Sequence, residues 1–304
     1  MAARALSRLS VGHYMLRRWS LADDVRRLER LGFESISLAV SKVAAYGTRR
    51  AVSLLRGSAL RVAHVSSYGR FGLTAASRRR GMDDVRRGIA FAHEVGAEVV
   101  VVLSGARGAA AWDDAARIFA DAYQALLPEA AAAGLRLAIE VIHPLRQDLS
   151  FVNTLEQARA LARGAGRGGG YVLDVWHSAW EPRLVEIAQA DAARRIHAVQ
   201  LSDVKPVTLR SMDRALLGGG IAPLAALIQA LEEGGYGGRY ELEIIGDDVE
   251  RIGYERALLQ SRATFVRLLR AAERRLSGRS RRPRARRSSS RGRRAGTRPP
   301  AHGT

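Results

Sequence analysis

LRLAIEVIH, residues 135–143, is a short apolar run that carries one acid, Glu140, toward its end. Side chains alternate along a strand, so if Leu137 and Ile139 face one layer, Ala138 and Glu140 face the other. A buried carboxylate is costly unless a cation or a hydrogen-bond network meets it. The decisive point is therefore whether neighbouring runs end in the same way. YVLD (171–174), AVQLSD (198–203) and ELEI (241–244) do, setting Asp174, Gln200 and Glu243 near the ends of three further runs.

Working outward from these, eight apolar runs have strand character. They are RLSVGHYML, FESISLAV, LRVAHVSS, AEVVVVLSG, LRLAIEVIH, GGYVLDVWH, IHAVQLSD and RYELEIIG, in chain order. Helix-like stretches alternate with them: LADDVRRLERLG, with Leu21, Val25 and Leu28 on one face, then DDVRRGIAFAHEVGA, the alanine-rich 113–134, VNTLEQARALARG, LVEIAQADAARR and IAPLAALIQALEEGG. Each ends near a glycine. This order predicts an α/β chain folded as a (β/α)8 TIM barrel, a single domain over residues 1–276. In such a barrel functional side chains gather at the C-terminal ends of strands, and strands five to eight each deliver one oxygen donor there.

The 304 residues, 47% hydrophobic, suffice for one large core. No run approaches the ~18 apolar residues of a membrane span, and the arginines scattered through the start leave no apolar signal region, so a cytoplasmic protein is expected. Zero cysteines exclude disulfides, thiolate metal sites and a cysteine nucleophile. The net charge is +19, but residues 277–304 hold ten arginines and no acid, leaving +9 for residues 1–276. That segment has almost nothing apolar to bury and is expected to be a disordered basic tail. No specific nucleic-acid partner and no membrane span are expected.

Three carboxylates converging on one barrel mouth call for a positive partner, and a divalent metal is the simplest one. Two Glu, one Asp and one Gln form an all-oxygen set that favours Mn²⁺ or Mg²⁺ over Co²⁺ or Zn²⁺. His143, just past the fifth strand, is a candidate substrate contact, with Arg146 and Asn153 weaker ones. Trp180 is a candidate sugar-stacking wall and Trp176 a weaker one, with one of the two expected beneath the rim. His64 is read as a hydrogen-bonded core histidine and His197 as outward and structural. Asp203 is positioned to orient Arg214, a water or the metal. GAGRGG (164–169) matches the GxGxxG spacing, but it follows a helix and precedes a strand, the reverse of a dinucleotide site, and is read as a helix-terminating loop.

The segments LAIEVIHP, YVLDVWHSAWEP, IHAVQLSDV, DRALLGGGI and GGYGGRYELEI, in this order, resemble the xylose isomerase-like TIM-barrel superfamily of sugar isomerases and epimerases. That group includes hydroxypyruvate isomerase and the ketose 3-epimerases, with endonuclease IV a more distant relative. The resemblance spans roughly residues 8–272. It implies that Glu140, Asp174, Gln200 and Glu243 coordinate one divalent metal, that His177 and Arg214 hold substrate oxygens, and that Glu140 and Glu243 serve as acid and base. Gln200 stands where the ketose epimerases have His and is similar to hydroxypyruvate isomerase. The GGG at 218–220 lacks the family's usual acid. The implied function is a metal-dependent isomerase or epimerase of a sugar, cyclitol or related α-hydroxy carbonyl compound, through an enediolate. Alternatives are a dehydratase or lyase using the same site, and an endonuclease IV-like nuclease, whose trinuclear cluster needs many more histidines. The resemblance also implies homo-oligomers.

Overall fold

The computed structural model describes residues 2–280 other than Tyr68, Leu209 and Ser211. Eight parallel strands close into a barrel in the order β1-β10-β7-β6-β5-β4-β3-β2. They are β1 (Leu9–Gly12), β2 (Ser35–Ala39), β3 (Arg61–Ser67), β4 (Val99–Val102), β5 (Arg136–Glu140), β6 (Tyr171–Asp174), β7 (Ile196–Leu201) and β10 (Tyr240–Leu242). A two-residue antiparallel ribbon, β8 (Asp203–Val204) with β9 (Arg214–Ala215), rises above the mouth between β7 and β10. The expected (β/α)8 architecture is thus the observed one. Among the described residues no helix is long and apolar enough to cross a membrane.

Local chemistry explains where the helices begin. Ser20 caps Leu21–Arg30 by accepting the Asp23 N–H, acids fill the first turn, and Leu21, Val25 and Leu28 are buried as the periodicity requires. Thr154 and Gln157 form a reciprocal capping box at the start of Leu155–Gly164. Two helices between β2 and β3, Val40–Tyr46 and Thr48–Arg56, were not expected. Gly47, at φ 96°, splits them, leaving each too short to show a sustained period, with Val43 buried in one and Ala51, Val52 and Leu55 in the other. The last helix, Tyr254–Ser280, runs past residue 276, so the first residues of the expected tail are helical, and 281–304 lie outside the described residues.

Strand alternation sorts the core. Leu137 and Ile139 join the large apolar cluster between barrel and helices, whereas Ala138 lies with Val99, Val101, Val172 and Ala198 in a small separate cluster within the barrel. The other side of the barrel interior is polar. Ser10 Oγ and Ser37 Oγ lie 2.8 Å apart, Ser37 Oγ lies 3.4 Å from His64 Nδ1, and His64 Nε2 pairs with Glu241 Oε2. His64 is therefore the hydrogen-bonded interior histidine that was expected.

Gly12 makes room for this network, because a Cβ there would collide with the Glu241 carboxylate. Gly12→Ala is expected to destabilise the barrel by about 1–3 kcal/mol, the usual cost of overpacking a filled core. A lower urea midpoint at unchanged slope would show it, and an unchanged midpoint would refute it.

Candidate active site at the barrel mouth

Each of the four strand-end donors is buried: Glu140 closes β5, Asp174 closes β6, Gln200 lies near the end of β7, and Glu243 follows β10. The parallel register sets Asp174 beside Gln200, and the Glu243 N–H continues the ladder to Leu201 O at 3.0 Å. Glu140, Asp174 and His177 can each offer a ligand atom within 4.8 Å of the others.

Asp174 has two tasks. The chain turns into a short helix, Val175–Ser178, directly after β6, and Asp174 Oδ1 caps it by accepting the His177 N–H at 3.0 Å. Its Oδ2 meets Arg214 Nη1 at 2.9 Å. Arg214 is fully buried and arrives from β9. Its Nη1 also donates to Glu243 O at 2.8 Å, its Nη2 lies 3.4 Å from Glu243 Oε1, and the guanidinium carbon lies 5.7 Å from the Trp176 ring centre. Arg214 thus sits within the acid cluster and does part of a cation's work there.

His177 is poised as a donor. Burial holds its pKa down at about 3, so the ring is neutral. Its Nδ1 accepts the His143 backbone N–H at 2.9 Å, which places the ring proton on Nε2. Nε2 lies 3.4 Å from Arg214 Nη2, itself a donor. With Nδ1 accepting, the neutral ring presents Nε2–H to an incoming oxygen.

Whether these residues suit a divalent cation can be judged from the charges and the orphaned atoms. If all three carboxylates were ionised, the one guanidinium would leave two negative charges uncompensated, and burial answers by favouring the protonated acids. Burial, reinforced by Asp174, pushes Glu140 up to about 8, and burial also raises Glu243 well above the usual carboxylate range. Gln200 Oε1 and Glu243 Oε2 are buried acceptors without a hydrogen-bond partner. Orphaned oxygens and crowded acids at one place are what a hard divalent ion resolves, so the set fits one.

The remaining candidates separate by position. The cavity over the acids, about 330 Å³, is lined by Glu140, Glu243, His177 and Arg146 among others. His143 and Trp180 instead line an adjacent cavity of about 350 Å³, so the structure does not bring their side chains to the acids. His143 Nδ1 accepts the Leu145 N–H and caps a turn, while Trp180 Nε1 donates to His177 O. Both brace His177. Trp176 is buried, whereas Trp180 is exposed. Asn153 fastens a loop through Ile142 O and Ser150 O. Asp203 accepts the backbone N–H groups of Val204, Gly218 and Ala222, and so anchors the ribbon that carries Arg214 rather than touching Arg214 itself. His197 points away from the mouth and hydrogen-bonds Leu137 O through Nδ1. Residues Gly166–Gly168 form a single tight turn between helix and strand, as the GAGRGG order implied.

Two groups were missed. Glu241 stands two residues before Glu243 and therefore faces inward too, a signal present in the ELEI alternation. Arg17 and Arg70 line the same cavity as Glu140, and their sequence surroundings carry no periodic signal.

Comparisons place this fold among known proteins. The family model described as xylose isomerase-like TIM barrel matches residues 25–267. A solved structure from Sinorhizobium meliloti 1021 is 29% identical with TM-score 0.79, covering 86% of this chain and 98% of its own. The IolI protein, solved with a zinc atom, is 19% identical with TM-score 0.75 over 86% of this chain and 98% of that one. An L-ribulose 3-epimerase is 22% identical with TM-score 0.69, covering 91% and 99% respectively. A search of curated proteins finds no match.

Proposed function

This chain belongs to the xylose isomerase-like TIM barrel family, and from that premise we propose that it is a divalent-metal-dependent isomerase or epimerase of a small α-hydroxy carbonyl compound. The observation that carries the proposal is the set of four buried oxygen donors on consecutive strand ends, two of them with orphaned acceptors, whose crowding makes ionisation costly until a cation arrives. Glu140, Asp174, Gln200 and Glu243 would hold the ion, and Mn²⁺ or Mg²⁺ suits these oxygen donors. When bound, the ion supplies Lewis-acid polarisation of a carbonyl.

The chain's own groups supply the rest. His177 Nε2–H and Arg214 Nη2 are adjacent donors that fix substrate oxygens beside the acids. Glu140 and Glu243 serve as the acid–base pair, one removing the proton from the carbon next to the carbonyl and the other returning it to a second carbon or face. Asp174 holds Arg214 and His177 at their stations. Burial of all these groups limits exchange with bulk water. Among the described residues Glu140, Asp174 and His177 form the one group of His, Asp and Glu close enough to share an ion, which supports one ion rather than a trinuclear nuclease centre.

The test is solvent deuterium uptake at carbon across a panel of ketoses, inososes and keto-acids, with Mn²⁺ or Mg²⁺ and with chelator. Metal-dependent uptake by one class is expected. Stoichiometric loading with no exchange across the panel would refute the reaction.

A further inference from the structure

The walls above the acids differ in character from the floor, and the difference bears on what the site accepts. Arg17, Arg70 and Arg146 reach the same cavity of about 330 Å³ from three separate loops, those after β1, β3 and β5. Arg146 is held in place by two 2.9 Å hydrogen bonds to Asp148, an exposed carboxylate that does not itself line the cavity. The hydrogen bond from Arg146 keeps the Asp148 carboxyl below its usual range, and the Arg70 charge acts in the same direction. Asp148 thus lies within the field of both guanidiniums.

Arg17 forms no ion pair among the described residues. The acids that share an adjoining cavity with it, Asp213, Asp247 and Glu250, are each paired elsewhere, with Lys205, Arg210 and Arg18. Between rim and floor the walls are apolar, made by Leu103, Ile142, Leu149, Met212 and Ile245. Among the described residues no Ser, Thr, Asn or Gln side chain lines this cavity. Tyr14 brings a hydroxyl-bearing side chain to this lining, so a free sugar, with a hydroxyl on nearly every carbon, would meet more guanidinium than neutral hydroxyl partners here.

The geometry points to an acidic substrate: a short α-hydroxy carbonyl compound whose carbonyl end meets Glu140, Glu243 and His177 and whose far end carries a carboxylate or phosphate that Arg17, Arg70 and Arg146 receive. This deepens the isomerase reading and rests on it for the reaction, though not for the binding. Arginine forks match both anions in the same way, so the shared chemistry is an oxyanion.

Three matched probes test the assignment: a ketopentose, its terminal phosphate, and a keto-acid of the same length. Binding is measured by calorimetry on the Glu243→Gln protein, in which turnover is expected to be strongly lowered, and deuterium uptake is measured on the wild-type protein with Mn²⁺. At least one anionic probe is expected to bind about tenfold or more tightly than the ketopentose, in keeping with charge-assisted hydrogen bonds. Arg17→Gln is expected to shrink that ratio about tenfold, and added salt to weaken anion binding. The preferred probe tells phosphate from carboxylate. Equal binding of all three, or a ratio unmoved by Arg17→Gln, overturns the assignment. Anion-selective binding with no deuterium uptake overturns the reaction and leaves the arginine assignment standing, whereas uptake that is no faster from either anion does the reverse.

Discussion

Glu243→Gln is expected to lower solvent-proton exchange at the substrate carbon by about 10²–10⁴-fold, the contribution general acid–base groups make. The side chain is buried, keeps Oε2 free of protein partners and meets Arg214 through Oε1. Glutamine has the same shape and retains one carbonyl oxygen as a donor to an ion, but it cannot take a proton from carbon. Metal content by equilibrium dialysis should therefore fall much less than turnover. The melting temperature without metal should not fall, since glutamine keeps the shape and is neutral, the state that burial already favours for Glu243. Full activity in this variant would remove Glu243 from the acid–base pair.

Arg214→Met is expected to destabilise the metal-free protein by about 3–5 kcal/mol, the cost of stripping the partner from buried charges. The guanidinium is the cation that meets Asp174 Oδ2 and the Glu243 carbonyl, and no other cation among the described residues pairs with either acid. Added Mn²⁺ should then stabilise the variant more than it stabilises the wild type, because the ion meets acids that nothing else compensates. Arg214→Lys should rescue little, since a single ammonium cannot span Asp174 and Glu243 as the planar fork does. Thermal melts with chelator and with Mn²⁺ measure both effects. Equal melting of the chelated variant and wild type would show that Arg214 does not neutralise the acids.

Much of the site was legible because it obeys a local period. Glu140, Asp174, Gln200 and Glu243 follow from alternation along four apolar runs, and alternation survives into the fold because each barrel strand is buried on both faces. The helix pair between β2 and β3 was not legible, since Gly47 breaks the pattern into pieces too short to show a face. His143 and Trp180 were placed near the substrate from their closeness in sequence to Glu140 and His177, yet they turn into the neighbouring cavity. Past a strand end the chain is free to turn, and alternation no longer says where a side chain points.

The arginine rim shows the same limit. With 49 lysines and arginines in 304 residues, no single arginine stands out by type. Arg17, Arg70 and Arg146 become one feature only when closure of the barrel brings the loops after β1, β3 and β5 around one cavity. The sequence by itself determined the barrel, its inward donors and the charge that asks for a cation, all consequences of short-range periodicity and of the cost of burying acids. Only the tertiary structure decided that Arg214 enters the acid cluster, that the proton of His177 lies on Nε2, and that the walls are arginine and apolar side chains. Those depend on contacts between residues far apart in the chain, which no local pattern encodes.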